Sequence, residues 1–204
     1  MRDTLIKERL GPYCSYCEFP VHHTPHAEHI IPKDRFREWR DRWDNLLVSC
    51  SWCNSHKGKD RPSPETVDDY LWPTRDNTAA AFTYANAVPE VADGLTGELR
   101  KKAAMLRGLV KLGVTGDARA TARAAALEVA QRYFSRMATS PDPELVRESI
   151  VELASTHGFF SVWMEVCAGN PLLRHRLIDQ FRGTAQDCFD PTTTATVPRP
   201  GGRL

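Results

Sequence analysis

Four of the six cysteines in this 204-residue chain fall into two pairs of identical spacing, Cys14-x2-Cys17 and Cys50-x2-Cys53. No other feature constrains the fold as strongly. Each C-x2-C pair sits on a tight knuckle that aims two thiolates at one point, and four convergent thiolates are the ligand set of tetrahedral zinc. In a reducing compartment paired thiols read as metal ligands rather than disulfides. A chance set of buried thiols and a redox pair are the alternatives, and the redox pair lacks a βαβ setting. Cys167 and Cys188 stand alone and read as small buried hydrophobes. The gap between the pairs is longer than in common zinc ribbons, which leaves room for an inserted function.

The remaining organisation divides the chain into four stretches, for a fold class of α+β that is mainly α. Residues 1–61 hold the paired cysteines and five of the seven histidines but few aliphatics, so this module is expected to need zinc to fold. Residues 62–97 carry Pro62, Pro64, Pro73 and Pro89 and read as an irregular connector packed on the module. Residues 98–190 show helical periodicity: Leu99, Ala103, Leu106 and Val110 on one face, Leu127, Ala130, Phe134 and Met137 on another, and Val146, Ile150 and Leu153 after a Pro-rich, acidic start. Two short apolar helices follow, split by Gly169-Asn170-Pro171. Residues 191–204, PTTTATVPRPGGRL, are expected to be disordered. The N-terminus lacks a secretory signal and no segment approaches eighteen uninterrupted apolar residues, so the chain reads as cytoplasmic, without a membrane partner. A formal net charge of only +1 means that a polyanion would have to be met by a local patch.

Between the cysteine pairs lies HHTPHAEHIIPK, in which Glu28-His29 precedes the apolar turn Ile30-Ile31-Pro32. Downstream come Asn45 in DNLL and Asn54-x2-Lys57-Gly58 directly after Cys53. This order of residues resembles the HNH endonuclease family, with Asn54 rather than His in third place. The resemblance covers residues 14–60 and implies a ββα-metal fold: His29 closing the first strand, Asn45 in the loop and Asn54 at the start of the helix. It further implies that His29 is a general base activating water, and that Glu28 and Asn54 hold Mg2+ or another divalent cation through oxygen. Asn45 would brace the loop that orients His29. His56 is a weaker ligand candidate, because two residues beyond Asn54 on a helix it points elsewhere. His22, His23 and His26 read as an exposed loop.

Positive charge for DNA would come from Lys33 and Arg35 after the first strand and from Lys57 and Lys59 after the second cysteine pair. Asp34, Glu38 and Asp41 are interspersed, so an ordinary solvated face is the competing reading. Trp39 and Trp43 read as packing residues, and Trp52 and Tyr16 as side chains buried by the knuckles. A wider resemblance, carried by CSYCE, EHIIPK, WDNLLVSC and YLWPTRDN, is to the HNH component of Septu-type and retron-associated anti-phage systems, and it implies a partner ATPase. The apolar runs FFSVWMEV and LLRHRL suggest that the helical half docks a partner or a second copy of the chain rather than DNA. Two functions follow: a metal-dependent DNA endonuclease, or a non-catalytic zinc module for protein or nucleic-acid interaction. His29 and Asn54 together favour the enzyme, because an interaction module needs only the cysteines.

Overall fold

The computed structural model describes residues 2–23, 25–59 and 61–204. A short helical segment, α1 over Arg2–Thr4 continuing as a π turn over Leu5–Leu10, opens the chain and buries Leu5. Strands β1 (His26–His29) and β2 (Leu46–Ser49) then pair antiparallel, with Glu28 opposite Leu47 and His29 opposite Leu46. Two four-residue strands cannot stand alone in water, and all four residues of β2 are buried. Helix α2 (Ser51–Lys57) follows directly, its first turn capped by Cys50, whose sulfur accepts the Cys53 N–H at 3.5 Å. Gly58, at φ +71°, ends α2 by donating its N–H to the Asn54 carbonyl.

The connector, expected over 62–97, holds only short 3-10 turns (Val67–Asp69 and Thr78–Ala80) and the two-residue strands β3 (Phe82–Thr83) and β4 (Glu90–Val91) before a helix starts at Gly97. It supplies the apolar bulk that the first module lacks. Ile30, Ile31, Leu46, Leu47 and Val48 share one continuous core with Val67, Tyr70, Leu71, Trp72 and Phe82 of the connector. Trp72 is fully buried, and its indole N–H donates to the Val67 carbonyl at 2.7 Å.

Five helices complete the chain: α3 (Gly97–Leu109), α4 (Ala118–Met137), α5 (Pro143–His157), α6 (Phe160–Val166) and α7 (Pro171–Gln180). Asp117, Asp142 and Asn170 cap α4, α5 and α7, each accepting the backbone N–H three residues on, which satisfies a donor left free at a helix start. Pro143 and Pro171 occupy first-turn positions, where a missing N–H costs nothing. Ala103 and Leu106 of α3 join the first core. Helices α4 to α7 enclose a second, containing Ala130, Ile150, Trp163, Leu173, Leu177 and both unpaired cysteines. Burial pushes the Cys167 thiol up to about 12, so it stays protonated and inert.

Three expectations change here. The apolar run after Gly158 is consumed internally: Phe159 and Val162 enter the first core, and Phe160, Trp163 and Met164 the second. It therefore gives no argument for a docking face. Helix α4 turns Arg119 and Arg123 inward beside Ala126 and Ala130, whereas the periodicity points to the apolar positions Leu127, Ala130, Phe134 and Met137. The tail, expected to be disordered, is tied down by polar contacts that an apolar-content argument does not count. Arg203 reaches Asp76 and the Asp68 and Tyr70 carbonyls, Thr194 is fully buried, and the Asn77 N–H donates to the Leu204 carbonyl at 2.6 Å. No described helix is long and apolar enough to cross a membrane.

Candidate functional site

The sulfurs of Cys14, Cys17, Cys50 and Cys53 all lie within 4.8 Å of one another, and all four residues are buried. A tetrahedral zinc with Zn–S bonds of about 2.3 Å has S···S edges of about 3.8 Å, and the Cys17 and Cys50 sulfurs stand 3.7 Å apart. Donor chemistry and spacing thus both fit zinc.

Each knuckle is also gripped by the helical half. Glu18, beside the first, is held at φ +63°. Its carboxylate accepts the Ser161 N–H at 2.8 Å and the Ser161 hydroxyl at 2.6 Å, and its carbonyl accepts the Phe159 N–H. Cys53, on the second, receives an N–H···S bond from Arg119 at 3.2 Å.

Beside α2 a cleft of about 490 Å³ is lined by residues that include Glu28, His29, Lys33, Asp34, Asn54 and Lys57. One short helix therefore contributes to both sites: Cys53 belongs to the sulfur cluster, and Asn54 and Lys57 line the cleft. Asn54 is the fourth residue of α2 rather than its first.

His29 ends β1 and is largely buried. Its Nε2 lies 3.0 Å from the Arg40 carbonyl. A carbonyl can only accept, so the neutral ring carries its proton on Nε2 and keeps the lone pair on Nδ1. Burial lowers the His29 pKa, with the Arg40 hydrogen bond opposing, and the neutral form is the one a general base needs.

Asn45 fixes that arrangement. Fully buried, it accepts the Ile31 N–H at 2.8 Å and donates to the Ile31 and Trp39 carbonyls at 3.0 and 2.8 Å. The amide thereby closes the neck of the loop between β1 and β2. It holds Trp39 in place, and the next carbonyl along, that of Arg40, is the one His29 uses.

Glu28 and Lys57 form an ion pair at 2.8 Å with side chains only 8% and 1% exposed. Burial raises the Glu28 carboxyl above its usual range, and Lys57 partly offsets this. Lys57 is therefore no surface contact for DNA, as its position in a lysine-rich stretch had suggested; its ammonium is spent on Glu28. Removing one partner strands the other charge, which typically costs about 3–5 kcal/mol. Lys57→Met is expected to lose about that much stability in urea unfolding, and Glu28→Gln in the same chain to restore most of it.

The other predicted residues separate. Lys33 and Lys59 are exposed at the rim of the cleft, whereas Arg35 is exposed outside it. His56 does not join Glu28, His29 and Asn54. It lies beside Trp52, ring centroids 6.3 Å apart, in the field of Arg119, Lys111 and Asp117, as a two-residue step around a helix requires. Trp52 is 43% exposed rather than buried by the knuckle, while Tyr16 is buried. Trp39 is half-buried under the Arg42 guanidinium, 4.0 Å from the ring centre, and Trp43 is exposed.

Residues 14–60, which hold the sulfur cluster, the two strands and α2, match the family model described as HNH endonuclease. Over 74 residues the chain is also 32% identical to the Septu protein PtuB of Bacillus thuringiensis. That stretch is 35% of this chain and 29% of the relative, so the match spans less than a third of the relative's length. No solved structure matches the chain.

Proposed function

We propose that the chain is a metal-dependent HNH endonuclease that hydrolyses DNA phosphodiester bonds in anti-phage defence. The observation that carries this reading is the convergence of Glu28, His29 and Asn54 on one cleft, with His29 held in a fixed tautomer by the Arg40 carbonyl. A zinc module that only binds would have no use for a buried, neutral imidazole braced by a buried amide.

In this mechanism His29 Nδ1 takes the proton of the attacking water. Asn45 and the Arg40 carbonyl keep the ring oriented through the reaction. The oxygens of Glu28 and Asn54 suit a hard divalent cation such as Mg2+, which is commonly bound by one or two carboxylates plus substrate phosphates. When bound, such an ion would stabilise negative charge on the phosphate and the leaving oxygen. Lys57 keeps the Glu28 carboxylate charged inside the cleft wall, and Lys33 and Lys59 at the rim would meet the DNA backbone. The likeness to a Septu protein supports a role beside a second defence protein, such as an ATPase, and self-association is compatible with it, since a single site cuts one strand at a time.

Purified chain incubated with supercoiled plasmid should nick it when magnesium is present and not when it is chelated. Asn54→Ala should cut more slowly at low magnesium and recover part of its rate as magnesium is raised, because a lost ligand weakens ion binding. No cleavage by the wild-type chain with any of Mg2+, Mn2+ or Ca2+ would return the reading to a zinc-dependent interaction module.

A further inference from the structure

Arg119 is a buried side chain with every N–H donor engaged. It is 2% exposed, and a guanidinium has five N–H donors. Its Nη1 donates to the Cys53 sulfur at 3.2 Å and to the Val110 carbonyl at 2.9 Å. Its Nη2 donates to the Lys111 carbonyl at 3.0 Å and to Asp117 at 2.6 Å, and its Nε to the same Asp117 oxygen at 3.0 Å. All five are used. A buried arginine could be accommodated by carboxylate and carbonyls alone, yet one N–H is spent on a cysteine sulfur, which is a poor acceptor as a thiol and a good one as a metal-bound thiolate.

We infer that Arg119 is a positioning residue of the four-cysteine metal centre, acting through Cys53 and oriented by Asp117, so that the helical half takes part in holding the metal. The relay from Asp117 through Arg119 to Cys53 has the logic of a carboxylate that orients a metal-bound histidine. A charge-assisted N–H···S bond lowers the negative charge carried by four buried thiolates around one dication. Two carbonyls at the end of α3, the first turn of α4 and the second knuckle thus meet on one guanidinium. The first knuckle is tied to α6 through Glu18 and Ser161 in the same way. Metal loading and docking of the helical half on the nuclease module are therefore linked. This inference rests on reading the cysteine cluster as a zinc site and not on the cleavage reaction.

The test uses the full chain, with zinc and with cobalt in its place. Partners of this kind typically contribute 10–100-fold to metal affinity, so Arg119→Met should raise the zinc dissociation constant by about that factor in competition with a chromophoric chelator. In the cobalt form, loss of the N–H donor raises the energy of the sulfur lone pair. The thiolate-to-cobalt charge-transfer band should therefore move to longer wavelength. Arg119→Lys keeps the cation but not the fork and should fall between wild type and Arg119→Met in both readouts. Because Arg119→Met could fail to fold, Arg119→Lys also stands alone: a lysine variant with wild-type zinc affinity and band position overturns the inference. A loaded wild type matched by both variants removes the role of Arg119 only. A wild-type chain that takes up neither metal removes the zinc reading itself.

Discussion

His29→Ala should leave zinc content, melting temperature and DNA affinity near wild type while plasmid cleavage falls by about 10²–10⁴, which corresponds to roughly 3–5 kcal/mol of barrier. The structure gives reasons for both halves of that expectation. His29 makes a single ring hydrogen bond, to the Arg40 carbonyl at 3.0 Å, and that carbonyl lies on an exposed residue where water can replace the ring. Folding therefore loses little. Catalysis loses the one lone pair that the Arg40 contact leaves available in the cleft. Magnesium should not rescue this variant, in contrast to Asn54→Ala, because an ion substitutes for a weakened ligand and not for a missing base. Cleavage by His29→Ala at the wild-type rate would move the reaction away from this cleft.

The first module was legible in the sequence because its constraints are local. The two C-x2-C knuckles converge by their own spacing, while Glu28, His29, Asn45 and Asn54 are picked out by the resemblance to the HNH family; the structure gathers the four sulfurs in one cluster and lines one cleft with Glu28, His29 and Asn54. The Pro-rich, acidic helix start and the Gly169-Asn170-Pro171 break were similarly readable, whereas the capping roles of Asp142 and Asn170 emerge only in the structure.

What escaped the reading is long-range. Lys57 looks like any lysine in KGKD until Glu28 from β1 is brought to 2.8 Å. Arg119 lies 66 positions from Cys53, and no local pattern announces the pairing. A faint signal exists in ARATARAAALEVA, where Arg119 and Arg123 share a helical face with Ala126 and Ala130. Small neighbours on that face make room for a long cation to be buried, but they do not say what it meets. The tail failed for a related reason: Arg199 and Arg203 find acceptors on the connector more than a hundred residues earlier.

Removing the metal should be the most damaging change of all. Structural zinc in small modules contributes on the order of 10–16 kcal/mol, which is comparable to the roughly 5–15 kcal/mol net stability of a typical domain. Loss of even about 5 kcal/mol lowers the melting temperature of a chain this size by roughly 10–20 °C. Cys50→Ser is the sharpest probe, because Cys50 is both a member of the sulfur cluster and the cap of α2. Damage should spread along the first core, since Ile30, Leu47, Trp72 and Leu106 belong to one continuous cluster. It should spread less through α4 to α7, which close a second core of their own. Metal analysis of wild type purified without chelator is therefore expected to give near-stoichiometric zinc. Cys50→Ser should lose the near-ultraviolet signal of packed aromatics such as Trp72 while keeping much of its far-ultraviolet helicity. If Cys50→Ser instead melted like wild type, with its aromatic signal intact and no zinc bound, the two strands and α2 would have to be held by the shared apolar core alone, and the cluster would be four buried thiols rather than a metal centre.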